Sequence, residues 1–124
     1  MPPTCGCATY GNKETEIMSE HKLPPFFHEI FHPTMPRLGP GDDALTAKAV
    51  DLVLSVASRV QPAAKAAHWR VLDLGCGTGP QTLVLARRFD GPILAVDNHQ
   101  PYLDELMRRA TVAGVAGRIK PQLA

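Results

Sequence analysis

The chain has 124 residues, room for one small domain and no more. Its 44% hydrophobic and 20% charged residues are an ordinary globular composition, and a formal net charge of +1 supplies no global field to draw in nucleic acid or an anionic membrane. No apolar run approaches the roughly 20 residues of a membrane-spanning helix, and Met1 to Asn12 lack the basic start and apolar stretch of a secretory signal, so the expected setting is the cytoplasm.

Residues 1–22 carry Pro2, Pro3, Gly6 and Gly11 and show neither helical nor strand periodicity; they are expected to be a disordered leader. Met18 is a candidate alternative start of translation. Cys5 and Cys7 form a C-x-C pair with no second pair downstream, a poor zinc site, and the third cysteine, Cys76, stands apart. Residues 23–61 read as an N-terminal lid segment and a helix. Pro24, Pro25, Pro33, Pro36 and Pro40 punctuate the lid and leave Phe26–Phe31 room for about two helical turns. Phe26, Phe27 and Phe31 either close over a site as a lid or pack as ordinary core. Asp42 or Asp43 is the N-cap of the next helix. There Leu45, Ala49, Leu52, Val53, Val56 and Val60 recur at helical steps as far as Gln61-Pro62, the stripe of an amphipathic helix.

Residues 62–124 alternate. Arg70–Leu74 reads as a buried strand, Gln81–Phe89 as a helix opened by Pro80, and Ile93–Val96 as a second buried strand ending at Asp97. Pro101 opens a helix through Leu103, Leu106, Met107 and Ala110 that stops near Gly114, and Arg118-Ile119-Lys120 begins a third strand. The alternation predicts an α/β fold with a parallel sheet.

The chemistry concentrates in Asp73-x-Gly75-Cys76-Gly77-Thr78-Gly79, a tight turn at the C-terminal end of the first strand, where open parallel sheets bind ligands. The glycines admit positive φ and let backbone approach a ligand. Asp97, at the end of the next strand, supplies a carboxylate able to accept both hydroxyl hydrogens of a ribose. A dinucleotide fingerprint, G-x-G-x-x-G, would need a third glycine where Pro80 stands.

Acidic-x-Gly-x-Gly-x-Gly instead resembles motif I of the class I S-adenosylmethionine-dependent methyltransferases, and Asp97 matches their acidic ribose position. Residues 26–124, including Pro36–Asp42 and His99–Leu103, are similar to a bacterial group of such enzymes that act on small molecules. The resemblance implies a Rossmann-like sheet, S-adenosyl-L-methionine as cofactor and a small-molecule methyl acceptor, with no nucleic acid, membrane or metal involved. It implies a cofactor set of Asp73, Gly75, Cys76, Gly77, Thr78, Gly79, Asp97, Asn98 and His99. Gly75 and Gly77 would line the methionine end, Asp73 would orient its amino group directly or through water, and Asp97 would hold the ribose. Asn98 departs from the family, which has an apolar residue there against the adenine. The bland alternatives are that Asp73 ties down the loop and that Asp97 caps the next helix. No catalytic residue is legible.

The sheet is expected to stop after about three strands, with Pro121 tolerated because the family's third strand lies at an edge. The first strand would then have an unpaired side, open to a second copy or a completing chain. On this reading the polypeptide alone is an incomplete enzyme, through truncation, an incomplete gene model or a missing partner, or else a non-catalytic cofactor-binding subunit.

Two other enzyme classes have weaker support. His28-Glu29-Ile30-Phe31-His32 is a literal H-E-x-x-H, the zinc-hydrolase pattern. Pro24-Pro25 and Pro33 confine its helix to about two turns, and Met35 and Leu38 occupy the positions of the extended motif's glycine and third histidine. A nicotinamide-dependent oxidoreductase is opposed by the glycine spacing. Of the remaining histidines, His21 and His68 read as surface residues, and His99 stands out beside Asp97.

Overall fold

The computed structural model describes residues 23–60 and 69–124. The leader with Cys5, Cys7, Met18 and His21, and the segment 61–68 with Gln61, Pro62 and His68, lie outside the described residues, as does the boundary expected between residues 61 and 62. The element order is α1 (Phe27–Ile30), α2 (Asp43–Val60), β1 (Val71–Leu74), α3 (Pro80–Arg88), β2 (Ile93–Asp97), α4 (Gln100–Val112) and β3 (Ile119–Leu123), with a 3-10 turn at Ala116–Arg118 before the last strand.

The three strands are parallel in the order β1-β2-β3, with Val71 opposite Ile93 and Ile93 opposite Ile119. Ile93, Ala95 and Ile119 therefore share one face, and on it they pack against Ala86 of α3 and Leu103, Leu106 and Ala110 of α4. Pro80 sits in the first turn of α3, where its missing N–H leaves no bond unmade. Arg118 ties the start of β3 to the far end of α3 by donating to the carbonyls of Ala86 and Phe89.

Gly79 has φ of +83°, and a Cβ there would lie 2.0 Å from Leu106 Cδ1. The glycine is what allows α4 to sit against the start of α3. Pro121 lies in β3, which among the described residues pairs with β2 alone, so the edge position expected for it is the one it occupies there.

Two faces differ from the sequence reading. The Arg70–Leu74 run reads as a buried strand, yet Leu72 and Leu74 are 60% and 76% exposed. Both helices that follow the strands lie on the other face, and on this one Val96, beside Leu74 in the next strand, is buried while the β1 leucines are left open. In α2, Asp42 is the cap, its Oδ1 accepting the Leu45 amide at 2.7 Å. The apolar stripe of α2 does not face the core: Leu45, Leu52, Val53, Val56 and Val60 are exposed and only Val50 is buried. α2 is held by its contact with α3 and by an Arg88–Asp51 ion pair of 2.8 Å. Its outward stripe instead forms an apolar groove with Trp69, just before β1, whose outer edge has no partner strand among the described residues.

The Gly79–Leu106 contact sets an expectation for stability. Gly79→Ala combines a left-handed φ with a steric clash and should lower unfolding free energy by about 2–4 kcal/mol in urea. Gly114→Ala, at φ +72° with nothing within 4 Å of its Cβ, isolates the conformational part and should cost only about 1–2 kcal/mol.

Candidate functional site

The site lies at the C-terminal ends of β1 and β2. After Leu74 the chain turns, and the amides of Gly75 and Cys76 both donate to the carbonyl of Val96, at 2.8 and 3.0 Å. The Asp97 side chain continues the stitching. Its Oδ2 accepts the Gly77 amide at 2.8 Å and its Oδ1 accepts the His99 amide at 3.1 Å. One carboxylate thus fixes both the glycine turn and the start of α4. A carboxylate has about four acceptor positions, so two remain open toward the space in front of it.

Asp73 is turned the other way. Its Oδ2 accepts the Thr82 hydroxyl at 2.6 Å, which binds β1 to the first turn of α3, and Thr82 is completely buried. Burial, reinforced by Asp73 and Asp97, pushes the Cys76 thiol up to about 12, so it is a neutral, inert filler.

In front of the turn is a cavity of about 370 Å³. Gly75, Cys76, Gly77 and Thr78 form its floor, and Asp97 and Asn98 one wall. Pro80, Gln81 and Tyr102 close the helix side, and Leu23, Phe27, Phe31, Leu38 and Gly39 of the N-terminal strap close the top. Among the described lining residues Asp97 carries the only charged side chain. That lining suits a ligand with hydroxyl or cationic donors and flat apolar parts.

Of the nine residues expected from the sequence, six line the cavity: Gly75, Cys76, Gly77, Thr78, Asp97 and Asn98. The other three stand behind it. Asp73 is bonded to Thr82, Gly79 is occupied by the close approach of Leu106, and His99 is the N-cap residue of α4, its ring stacked on His28 with centroids 3.8 Å apart. Burial lowers the His99 pKa, and the neighbouring His28 adds to this against the opposing pull of Asp97.

Phe27 and Phe31 of the expected lid do line the cavity, whereas Phe26 is exposed. Leu38, Gln81 and Tyr102 were not singled out from sequence. Leu38 packs so near Gly77 that a Cβ there would lie 3.1 Å from its Cδ1. Only the Pro36–Asp42 and His99–Leu103 stretches, noted as part of the resemblance, pointed toward Leu38 and Tyr102.

The H-E-x-x-H pattern does not form a two-histidine face. α1 is a single turn that ends at Ile30, before His32. His28 turns to His99 and Tyr102, while His32 Nδ1 is bonded to Thr34 in its own turn. Among the described residues no group of three or more His, Cys, Asp or Glu converges on one point, and no helix among them is long and apolar enough to cross a membrane.

Residues 71–124, somewhat under half of the chain, match the family model described as a methyltransferase domain. The fold is similar to YjhP from E. coli, with a TM-score of 0.60 and 22% identity over 81% of this chain and 37% of that one. It is also similar to a SAM-dependent methyltransferase from Geobacter sulfurreducens solved with S-adenosyl-L-homocysteine, with a TM-score of 0.57, 21% identity, and coverage of 82% and 36%. A SAM-dependent methyltransferase from Thiobacillus denitrificans, also solved with S-adenosyl-L-homocysteine, is 27% identical over 82% of this chain and 37% of its own, with a TM-score of 0.50. The chain thus spans little more than a third of the length of these structures. No curated protein matches it. The described residues carry the Rossmann-like fold of the class I methyltransferases through its third strand.

Two expectations follow from the electrostatics around the site. Thr82→Val leaves the Asp73 carboxylate without its partner and should cost about 1–3 kcal/mol in urea unfolding. Glu105 of α4 is held down to about 2 by Arg108 and, further, by Arg109. Its folded pKa is depressed, so its contribution is present above the ordinary value near 4.5 and is lost as pH falls from there toward 2. The urea midpoint of wild type should fall across that window more steeply than that of Glu105→Gln.

Proposed function

We propose that the cavity binds S-adenosyl-L-methionine and that the chain is the cofactor-binding part of a cytoplasmic methyltransferase acting on a small molecule. The observation that carries this reading is the Asp97 carboxylate. It stands at the end of β2, bonded to the glycine turn and lining the same 370 Å³ cavity, with acceptor positions left over after its two backbone bonds. A vicinal diol is the natural complement of such a group, so Asp97 takes the ribose hydroxyls. Gly75 and Gly77 bring bare backbone to the amino-acid end, and Asn98 offers an amide beside the base in place of an apolar surface. Asp73 serves from behind, by fixing the floor through Thr82. It reaches the ligand only through the turn it supports, or through water.

When bound, S-adenosyl-L-methionine would supply the methyl group in activated form, as a sulfonium. The residues of this chain contribute orientation and dryness. Phe27, Phe31 and Leu38 exclude water from above, and Asp97 sets the ligand's position along the cavity. Neither titratable side chain beside Asp97 in the described lining is tuned as a general base: burial holds the Cys76 thiol protonated, and burial and Asp97 push Tyr102 above its ordinary value.

A second reading is supported by the exposed Leu72 and Leu74 and by the edge of β1, which has no partner strand among the described residues. Here the polypeptide binds the cofactor as one part of an assembly in which a further segment, a second copy or another chain supplies the rest of the sheet and the acceptor site. Isolation of a stable complex carrying methyltransferase activity that the lone chain lacks would favour it.

The test is calorimetric titration of S-adenosyl-L-homocysteine into the folded chain, with Asp97→Ala beside it. Saturable binding weakened by about 1.5–3 kcal/mol in the variant is the expected result. Absence of binding by the folded wild-type chain would falsify the proposal.

A further inference from the structure

The strap over the cavity, residues 23–41, has little structure of its own. Its one helix is a single turn, and Pro33, Pro36 and Pro40 remove backbone donors. Its carbonyls need partners from elsewhere, and α4 supplies them from one face. Tyr102 and Arg109 are seven residues, two turns, apart on that helix. The Tyr102 hydroxyl donates to the Phe31 carbonyl at 2.7 Å.

Arg109 does more. Its Nη2 donates to the carbonyls of Met35 at 2.7 Å and Pro33 at 3.2 Å. Its Nη1 donates to the Pro36 carbonyl at 3.0 Å and the Thr78 hydroxyl at 3.2 Å, and its Nε to Glu105 at 2.7 Å. All five N–H donors of a guanidinium are thereby used. Three of them hold the strap and one holds the glycine turn, in a side chain only 16% exposed.

We infer that Arg109 is a positioning residue that latches the strap onto the glycine turn and so governs how fast ligand leaves the cavity. Arg109 is not itself in the cavity lining, and Thr78 is its one hydrogen-bond partner there, so it acts through what it holds. With it in place, residues 33–36 are fixed, and Leu38 two residues on is pressed against Gly77, closing the top of the cavity. Lysine cannot substitute. Its three donors on a flexible stem cannot span three strap carbonyls, a threonine hydroxyl and a glutamate at once. Arg108 provides the internal contrast: it pairs with the same Glu105 at 2.7 Å but makes no bond to the strap. The ligand half of this inference rests on the proposed S-adenosyl-L-methionine site.

The experiment measures two quantities on the full chain: hydrogen exchange of the 33–39 backbone, and the dissociation rate of S-adenosyl-L-homocysteine. Arg109→Lys should speed both by about tenfold or more, the scale of losing charge-assisted bonds, while β2 amides exchange as in wild type. Tyr102→Phe should loosen the same strap from its other end without disturbing Glu105, and Arg108→Ala should change neither quantity. Wild-type strap exchange in Arg109→Lys, or a looser strap with unchanged ligand release, overturns the inference. If the folded wild-type chain binds no S-adenosyl-L-homocysteine, the functional reading falls, and strap exchange alone decides whether Arg109 is the latch.

Discussion

Two acceptors at the end of one strand organise this molecule. The carbonyl of Val96 takes the amides of Gly75 and Cys76, and the carboxylate of the next residue, Asp97, takes those of Gly77 and His99. A turn as rich in glycine as 75–79 has much conformational freedom to lose on folding, and these bonds restrict it at three of its residues. The same carboxylate sets where α4 begins, and so where Tyr102 and Arg109 stand. Because Asp97 is only half-buried and keeps free acceptor positions, the group that builds the site is also the one that presents charge to it.

This dual use changes how the two alternatives raised by the sequence relate. Capping the next helix and holding a ribose appeared as competing roles for Asp97. The backbone bonds occupy one position on each oxygen, so the two roles are compatible. For Asp73 the geometry points more toward the structural role. Its short bond to a fully buried threonine makes it the link between β1 and α3, and any influence on a ligand passes through the floor of the cavity.

Much of the fold was legible because glycine and proline punctuate it. Pro80 and Pro101 mark helix starts, Gly91-Pro92 and Gly114 mark helix ends, and each observed boundary lies within a residue or two of the expected one. What could not be read was which side of an element faces inward. The stripe of α2 has the right period for a core helix, yet periodicity reports only that apolar residues share a face, not that a neighbour covers it. Leu72 and Leu74 failed for the same reason. Within the site, the turn and Asp97 were legible because their residue types are dictated by backbone geometry and charge. Leu38, Gln81 and Tyr102 were not, since ordinary side chains reach the cavity through tertiary placement alone. Arg109 was invisible for a related cause: its partners in the strap are backbone carbonyls more than seventy positions away, and main-chain acceptors leave no mark on a sequence.

The sheet's two borders are chemically unequal. On the β3 side, Pro121 offers no amide and its ring stands where an incoming strand's carbonyl would approach, with Lys120 beside it adding a charge. On the β1 side, Val71–Leu74 carries no proline and no lysine. Accretion of strands is therefore directional. One border is terminated by its own composition and the other is receptive, so any extension of this sheet, from whatever polypeptide, proceeds away from β3 and leaves the cavity-facing ends of β1 and β2 near its centre.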